Sequence, residues 1–331
     1  MDRVNANRNE TADALPFKDL IDALDKGFAM GCAKPERQHL KLGKQQNNPP
    51  IMLLMPAWTN SEVGQQFLGV KIVNVFPDNR LKNLPGLTST YILYDGDTGE
   101  ELAIFDGNTL TARRTAATSA LAARYLSSPR SEKLAIIGAG EVAQLLADAF
   151  SAVRPIKKIS IWNRTKKSAE KLGKQLEDAG FSVTIAGTAE EAVNGADIIS
   201  AATLSNEPVI HKNWVKKGAH VDLIGAFTPQ MREADDDLVR HAKLYIDTAE
   251  ALEEAGDLCI PIGNGTIKKG DILATLSDLA LSKEPPERGD DDITLFKAVG
   301  SALTDLYAAK LAFETLSERR RGEKNIREET I

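Results

Sequence analysis

The sequence predicts an α/β protein in which a parallel-sheet domain is inserted into an α+β domain. From residue 133 onward, short apolar strands alternate with helices, which is typical of βαβ units in a parallel sheet. The first 127 residues instead mix strands and helices with turn signals, and one more apolar-periodic segment follows residue 291. We therefore predict one domain from residues 1–127 plus 291–331 and a second domain from residues 128–290.

Composition and charge exclude several classes of protein. The 331 residues carry 41 lysines and arginines against 47 aspartates and glutamates, a net charge of −6 that argues against a nucleic-acid-binding surface. No apolar run approaches the ~20 residues that cross a bilayer, so we predict no membrane span. Because the N-terminus is polar and Cys32 and Cys259 lie far apart, we expect a cytoplasmic protein with reduced thiols. The histidines show no metal-ligand spacing, and we predict no metal site.

The N-terminal block has the elements of a mixed sheet. Apolar residues at helical spacing predict a helix over residues 16–30, and an Ala-rich stretch predicts another over 109–126. Apolar runs predict strands over residues 51–58, 67–76, 87–94 and 101–105. The segment Tyr94-Asp-Gly-Asp-Thr-Gly99 forms a turn between the last two strands, which indicates antiparallel pairing.

The second block alternates between strand and helix. Strands are predicted over residues 134–137, 159–162, 183–186, 198–201, 221–224 and 244–246, with helices including 142–153 and 166–179. A polar, Pro-containing linker follows at residues 283–292. Apolar residues from Leu295 to Leu311 then predict a final helix over residues 293–316, which we expect to pack back against the N-terminal block.

A glycine-rich turn, GAGEVA, joins the first strand of this block to a helix and fits the G-x-G-x-x-G/A dinucleotide fingerprint. Its first glycine permits the tight turn, its second lets the backbone approach a pyrophosphate, and the helix N-terminus attracts the phosphates. Because a second strand follows about twenty residues later, the context predicts a Rossmann-type domain; the alternative is a glycine turn without a ligand. We expect the residues that bind the pyrophosphate to be Gly138, Ala139, Gly140, Glu141 and Val142.

The end of the second strand distinguishes NAD(H) from NADP(H). NAD-specific sites place Asp or Glu there to bind the ribose 2′-hydroxyl, and a carboxylate would repel a 2′-phosphate. A guanidinium instead binds a phosphate through two hydrogen bonds and stacks on adenine. NADP(H) is therefore favoured and NAD(H) remains possible; the alternative is a solvated loop that accepts either cofactor. The residues at this point are Asn163, Arg164, Thr165 and Lys166.

A series of short motifs runs through most of the chain. The most specific is TARRTAAT at residues 111–118, just upstream of GAGEVA. The others are VKIVN at 70–74, DTGE at 97–100, GAHVDLIG at 218–225 followed by Arg232-Glu233, and LFKAVGSALTD at 295–305. In this order they resemble the ornithine cyclodeaminase/μ-crystallin family. The resemblance implies a homodimer in which the Rossmann domain is inserted into a substrate-binding and dimerisation domain built from both chain ends.

The resemblance also implies that Arg37, Lys71 and Arg114 hold the carboxylate of a small amino or imino acid. Lys71 interrupts an apolar strand and Arg114 an Ala-rich helix, where a charge is costly unless it is paired. The partner is either the substrate carboxylate or a carboxylate of the protein. Asp305 interrupts the last helix, either as a cap or as a partner of a cation in the site.

Two apolar residues stand where a true ornithine cyclodeaminase has acids. Leu53 and Phe227 cannot hold or deprotonate an amino group, as those carboxylates do, and an apolar pocket suits a ring with few polar atoms. The resemblance therefore implies reduction of a cyclic ketimine, Δ1-pyrroline-2-carboxylate or Δ1-piperideine-2-carboxylate, to L-proline or L-pipecolate. This activity would belong to proline metabolism.

The implied reaction is hydride transfer from NADPH to C2 of the imine, with Lys71 and Arg114 as catalytic residues. Lys71 is the best side-chain candidate for the proton donor, unless the imine arrives already protonated. The resemblance places further residues at the cofactor, the last three on the final helix near the nicotinamide: Arg114, Thr115, Thr203, Val221, Asp222, Leu223, Ile224, Ala298, Val299 and Gly300.

Two other functions remain as alternatives. The first is an ornithine cyclodeaminase or an alanine-type amino-acid dehydrogenase, and Leu53 and Phe227 argue against the cyclodeaminase. The second is a protein that binds NADPH or a small ligand without turnover, like μ-crystallin. The complete set of cations makes it less favoured, because an apolar ligand would not require them.

Overall fold

The computed structural model describes residues 3–43, 49–60 and 64–329. The chain divides into two units, Met1–Arg114 with Ala302–Ile331 and Thr115–Ser301. The predicted boundaries, 127/128 and 290/291, differ from these divisions. The first division falls within one continuous helix, and the second unit also contains a strand at residues 294–297 that was not predicted. Among the described residues, none of the helices combines the length and hydropathy that a membrane span requires.

The first unit contains a six-stranded sheet. Its strands are β1 (Val4–Ala6), β2 (Gln38–Lys41), β3 (Ile51–Trp58), β4 (Phe67–Val75), β5 (Leu87–Asp95) and β6 (Glu101–Asp106), in the order β1-β6-β5-β4-β3-β2. β1 pairs with β6 in parallel, and the other pairs are antiparallel. The four predicted strands are confirmed to within one residue. β1 and β2, with three and four residues, are too short to show a pattern in the sequence.

α-Helical segments accompany this sheet in the first unit. They are α1 (Arg8–Asp13), α2 (Phe17–Met30), the first turns of α3 (Gly107–Leu126) and α11 (Ala302–Glu329). In α2, Leu20, Ile21, Leu24 and Phe28 are fully buried at helical spacing, as predicted. α11 packs against α2 and against β3 to β6. It therefore contributes side chains to the buried side of the sheet.

The second unit contains an eight-stranded parallel sheet. Its strands are β7 (Lys133–Ile137), β8 (Lys158–Trp162), β9 (Ser182–Ile185), β10 (Ile198–Ala201), β11 (His220–Leu223), β12 (Lys243–Ile246), β13 (Ile272–Thr275) and β14 (Thr294–Lys297). Their order is β13-β12-β14-β11-β10-β7-β8-β9. Every residue of β10 and β11 is buried, as expected for parallel strands covered on both faces. The six predicted strands are confirmed to within one residue.

The connections of this sheet are mostly helical. The second unit contains α4 (Ala143–Ser151), α5 (Lys166–Asp178), α6 (Ala189–Val193), α7 (Asp236–His241), α8 (Ala251–Glu254), α9 (Gly256–Gly263) and α10 (Leu276–Ser282). Most of α3 also belongs to this unit.

The predicted helix over residues 293–316 is wrong at its start. Residues 294–297 form β14, which lies between β11 and β12 with every residue buried. Gly300, with φ of +79°, ends the extended segment, and α11 begins only at Ala302. The apolar spacing was misleading because Leu295 packs in the parallel sheet and Leu303 in the helix. Ala298, Val299 and Gly300 therefore lie in a loop and not on the last helix.

Candidate functional site

A buried carboxylate joins two buried cations in the first unit. Oδ2 of Asp305 lies 2.6 Å from Nζ of Lys71, and its Oδ1 accepts a hydrogen bond of 2.9 Å from Nε of Arg114. Asp305 has no exposed surface, and Lys71 and Arg114 are only 3% and 6% exposed. Of the two interpretations of Asp305, the structure shows the ion pair. It also shows that both cations have a carboxylate of the protein as a partner.

Three elements bring these charges together. Lys71 lies on the buried face of β4, and its Nζ also lies 3.4 Å from Oγ1 of Thr111 as a hydrogen-bond donor. Arg114 lies in the second turn of α3, whose start is capped by Asp106 through the backbone N–H of Thr109. Asp305 lies in the first turn of α11, where the positive end of the helix dipole favours a carboxylate.

Burial and neighbouring charges set the protonation states of this cluster. Burial lowers the pKa of Lys71 to about 8; the Asp305 carboxylate opposes this shift, whereas the positive charges of Arg114 and Arg37 add to it. Burial alone would raise the pKa of Asp305, but Lys71 and Arg114 outweigh it and hold this pKa below its usual value. At neutral pH, Asp305 is therefore ionised and Lys71 is a protonated but unusually acidic ammonium.

Arg37 and Leu53 lie close to the cluster, and Phe227 belongs to the other unit. Arg37 is partly buried just before β2, and its charge acts on Lys71. The register pairs Met55 with Lys71, so Leu53, two residues earlier on β3, shares a sheet face with Lys71 and is its diagonal neighbour. Phe227 follows β11, and its side chain is half exposed.

The second unit has the crevice of a doubly wound sheet. From β7 the chain passes to β8 and β9 on one side, and it then returns to β10 on the other. Ligands of such sheets bind outside the carboxyl ends of the strands at this switch point. Gly138 follows β7 there with φ of +115°, and a Cβ on it would lie 2.6 Å from the carbonyl oxygen of Ala202 after β10. Only glycine fits this position.

The turn after β7 leaves open space above its backbone. A Cβ built on Gly140 would meet no protein atom within 4 Å, so the space over this backbone is open. Val142 is the N-cap of α4, and its apolar side chain cannot accept hydrogen bonds from the first helical turn. Ala139 is partly exposed and Glu141 is exposed. These residues fit the phosphates of a dinucleotide.

The cations predicted to recognise the adenosine end lie at the end of β8. Arg164, Thr165 and Lys166 are exposed, and Asn163 donates a hydrogen bond of 3.0 Å from Nδ2 to the carbonyl oxygen of Thr165. Lys166 begins α5, with Nζ 3.8 Å from a carboxylate oxygen of Glu170. This edge of the crevice is positively charged and open to solvent.

The other predicted cofactor residues differ in their surroundings. Val221, Asp222 and Leu223 are buried within β11, and Asp222 accepts a hydrogen bond from Oγ of Ser200. Burial raises the pKa of Asp222 to about 7, against the opposing effect of that hydrogen bond. Ile224 is partly buried after the strand, and Thr115 is partly buried on α3.

Buried acids fix two loops at the carboxyl edge of the second sheet. Asp247 accepts hydrogen bonds from the backbone N–H groups of Val299 and Gly300, at 3.0 and 2.7 Å. Glu233 accepts one from the backbone N–H of Thr203, at 2.7 Å. Both acids are at most 1% exposed. The loops after β14 and β10 are therefore tied to the interior.

Sequence reasoning missed several of these supporting residues. Glu233 was recognised as part of a family motif but received no role. Thr111, in the same motif as Arg114, also received no role. Asp247 and Asp257 gave no local signal, because their partners are distant in the sequence, and Lys297 lies in the motif at 295–305 but received no role. Within residues 3–43, 49–60 and 64–329, no group of three or more His, Cys, Asp or Glu side chains is arranged to hold a metal ion.

The chain matches a known family over most of its length. The model of the ornithine cyclodeaminase/mu-crystallin family matches residues 3–320. The Δ1-pyrroline-2-carboxylate reductase of Colwellia psychrerythraea is 36% identical to this chain over 309 residues, which are 92% of this chain and 96% of the relative.

Two solved structures share the complete architecture. That of Thermococcus litoralis Δ1-pyrroline-2-carboxylate reductase, in complex with NADH and L-proline, has a TM-score of 0.87 and 32% identity and covers 96% of this chain and 98% of its own. That of an archaeal alanine dehydrogenase dimer with bound NAD has the same TM-score of 0.87 with 27% identity and covers 97% and 98%.

The unusual acidity of Lys71 can be measured directly. In protein labelled with ¹³C at the lysine ε-carbons, we expect one resonance to titrate near pH 8, while exposed lysines titrate near ~10.4. This resonance should be absent in Lys71→Met. Because the Asp305 carboxylate favours the ammonium form, Asp305→Asn should lower the pKa of Lys71 further. A Lys71 resonance that titrates with the exposed lysines would contradict the assigned electrostatics.

Proposed function

Because the chain belongs to the ornithine cyclodeaminase/mu-crystallin family, we propose that it reduces a cyclic ketimine with a nicotinamide cofactor. The substrate is Δ1-pyrroline-2-carboxylate, with the six-membered Δ1-piperideine-2-carboxylate as the larger homologue, and the products are L-proline and L-pipecolate. The Colwellia relative and the Thermococcus structure with NADH and L-proline support this activity. The protein is thus an oxidoreductase that acts on a C=N bond.

The observation that carries the proposal is the buried cluster around Asp305. Lys71, Arg114 and Asp305 together carry two positive charges and one negative charge, and Arg37 adds positive potential at Lys71. Poorly hydrated charges of this kind attract an anion more strongly than surface lysines do, because the effective dielectric constant is lower. The carboxylate of the ketimine binds these cations, with Arg37 at its outer side.

Lys71 has the acidity that the reaction needs. An ammonium with a pKa of about 8 has an acid dissociation constant more than ~100-fold larger than that of an ordinary lysine near ~10.4. It is still protonated at neutral pH and can therefore donate a proton. Protonation of the ring nitrogen makes C2 electrophilic. The bound cofactor supplies the hydride to C2, and the products are the amine and the oxidised cofactor. An imine that arrives already protonated would need Lys71 only to bind its carboxylate.

Leu53 supports reduction over cyclodeamination. It shares the sheet face of Lys71. Its side chain can neither accept a proton from an amino group nor hold that amino group by a hydrogen bond. Phe227 replaces the second acid of a cyclodeaminase with an equally inert side chain. Leu53, beside Lys71, offers an apolar contact to a ring of methylenes.

The nicotinamide dinucleotide binds at the carboxyl edge of the second sheet. Gly138–Val142 would hold its pyrophosphate, and Thr203, Ile224 and the loop of residues 298–300 would hold its nicotinamide half. We further propose a preference for NADPH, although the two structural relatives hold NADH and NAD. Arg164 and Lys166 support this preference, because exposed cations at the end of β8 favour a 2′-phosphate.

We also propose that the protein is a homodimer whose first unit provides substrate binding and dimerisation. The dimeric structure of the archaeal alanine dehydrogenase, of the same architecture, supports this assembly.

Turnover assays distinguish this activity from its alternatives. With Δ1-pyrroline-2-carboxylate, we expect rapid loss of NADPH absorbance and formation of L-proline, whereas L-ornithine with NAD should release no ammonia. Ammonia from ornithine would contradict the roles of Leu53 and Phe227. Oxidation of NADH with pyruvate and ammonia but not with the ketimine would identify an alanine dehydrogenase. Tight NADPH binding without any turnover would identify a binding protein.

The proposed role of Arg164 predicts a change of cofactor preference. Arg164→Ala removes a charge-assisted phosphate contact, which is worth roughly 1.5–3 kcal/mol, so the NADPH/NADH ratio of kcat/KM should fall roughly tenfold to a hundredfold. Arg240→Ala, which removes an exposed arginine of α7, is the matched control and should keep the wild-type ratio. An unchanged ratio in Arg164→Ala would show that Arg164 does not contact the 2′-phosphate and would refute its proposed role.

A further inference from the structure

Glu233 is a fully buried carboxylate that holds the ends of two neighbouring parallel strands together. Its Oε1 accepts hydrogen bonds from the backbone N–H and from Oγ1 of Thr203, at 2.7 and 2.8 Å. Its Oε2 accepts them from the backbone N–H groups of Gly225 and Ala226, at 2.8 and 3.3 Å. Thr203 is the second residue after β10, and Gly225 is the second residue after β11.

The two strand ends are packed with no spare room. A Cβ on Gly225 would lie 2.0 Å from the carbonyl oxygen of Thr203 and 2.5 Å from Oε1 of Glu233. The backbone of the two loops and the carboxylate therefore form one rigid unit. A change in the Glu233 side chain acts directly on both loops, because its two oxygens contact their backbone N–H groups without an intervening side chain.

A second layer fixes the carboxylate itself. Oδ1 of Asp257 accepts hydrogen bonds from the backbone N–H groups of Glu233 and Ala234, at 2.7 and 3.0 Å. Nζ of Lys297, on β14, lies 3.1 Å from Oδ2 of Asp257 and 3.9 Å from Oε2 of Glu233. The ammonium offsets part of the buried negative charge, and all three side chains have no exposed surface.

The strand order shows which part of the crevice this unit supports. The cations that suit the adenosine end follow β8, and the pyrophosphate turn follows β7. On the opposite side of the switch point, β10 and then β11 come next in the sheet. A dinucleotide that extends across the carboxyl edge from β8 therefore places its nicotinamide half at the ends of β10 and β11.

We propose that Glu233 is a positioning residue for the nicotinamide half of the cofactor. This role rests on the proposed function, since it requires that a nicotinamide dinucleotide binds this crevice. Glu233 acts through the backbone of Thr203, Gly225 and Ala226, which it holds in the conformation that receives the cofactor. No proton transfer is assigned to it.

The test replaces one carboxylate oxygen. Glu233→Gln presents an NH2 group, a donor, to one of the two loops, whose own groups are also donors, so that loop loses its acceptor. We expect the Kd of NADPH, measured by its fluorescence, to rise at least tenfold. The Kd of adenosine 2′,5′-diphosphate, which lacks the nicotinamide half, should stay within twofold. If the wild type prefers NADH, the matching pair is NADH and ADP.

Amide hydrogen exchange gives a second readout that needs no cofactor. In Glu233→Gln, exchange should accelerate at Thr203 or at residues 225–226 and stay unchanged in the segment 138–142. Asp235→Asn is the matched control. Asp235 lies two residues after Glu233 and caps α7 by accepting a hydrogen bond from the backbone N–H of Leu238. The asparagine keeps an oxygen that can cap the helix, and the variant should change neither Kd. Glu233→Asp keeps the charge but is one methylene too short for both loops, and it serves if the glutamine variant does not fold.

The outcomes separate this role from the proposed function. Equal weakening of NADPH and adenosine 2′,5′-diphosphate would show a general structural role and overturn the proposal, as would unchanged affinities for both. A wild type that binds NADPH but does not reduce the ketimine would contradict the proposed function alone. A wild type that binds neither NADPH nor NADH would overturn both.

Discussion

The first unit is organised around the ion pairs of Asp305. This carboxylate contacts side chains of β4 and α3, which lie 234 and 191 residues before it in the chain. Removal of one partner from a buried ion pair typically costs ~3–5 kcal/mol, because the remaining charge is left without compensation in a medium of low dielectric constant. The strand and both helices must therefore keep their register for the cluster to exist. In the proposed reaction, the same charges supply the acidity of Lys71 and the affinity for the substrate carboxylate.

The second unit also depends on buried acids, but these bind backbone N–H groups of loops and not mainly cationic side chains. Glu233, Asp247 and Asp257 accept hydrogen bonds mainly from backbone N–H groups of loops at the carboxyl edge of the sheet. A carboxylate accepts several donors at once, so one side chain can fix two chain segments that no secondary structure connects. The cofactor crevice is consequently bounded by loops that are anchored to the core. Preorganisation of this kind reduces the cost of ordering a site when the ligand binds.

Local patterns were sufficient for most of the fold. Strands such as Ile51–Trp58 and Ile198–Ala201 and the helix Phe17–Met30 follow from runs and periodicity, and GAGEVA identifies the crevice. β14 was missed because Leu295, Val299 and Leu303 repeat at helical spacing, although they lie in a strand, a loop and a helix respectively. The motifs identified Lys71 and Arg114, but no local signal shows that both meet Asp305 or that Glu233 reaches Thr203. Such contacts depend on the tertiary fold, and sequence spacing does not encode them.

The pH dependence of kcat/KM for Δ1-pyrroline-2-carboxylate, in the wild type and in Asp305→Asn, tests the central claim most directly. If turnover needs the Lys71 ammonium, kcat/KM of the wild type falls as the pH rises through about 8, the folded-state pKa of Lys71. Loss of the Asp305 charge lowers that pKa, so in Asp305→Asn the fall should begin at lower pH. The pKa of the free imine is the same for both proteins. A fall at the same pH in both would therefore assign it to the substrate and contradict control of the reaction by the Lys71–Asp305 pair.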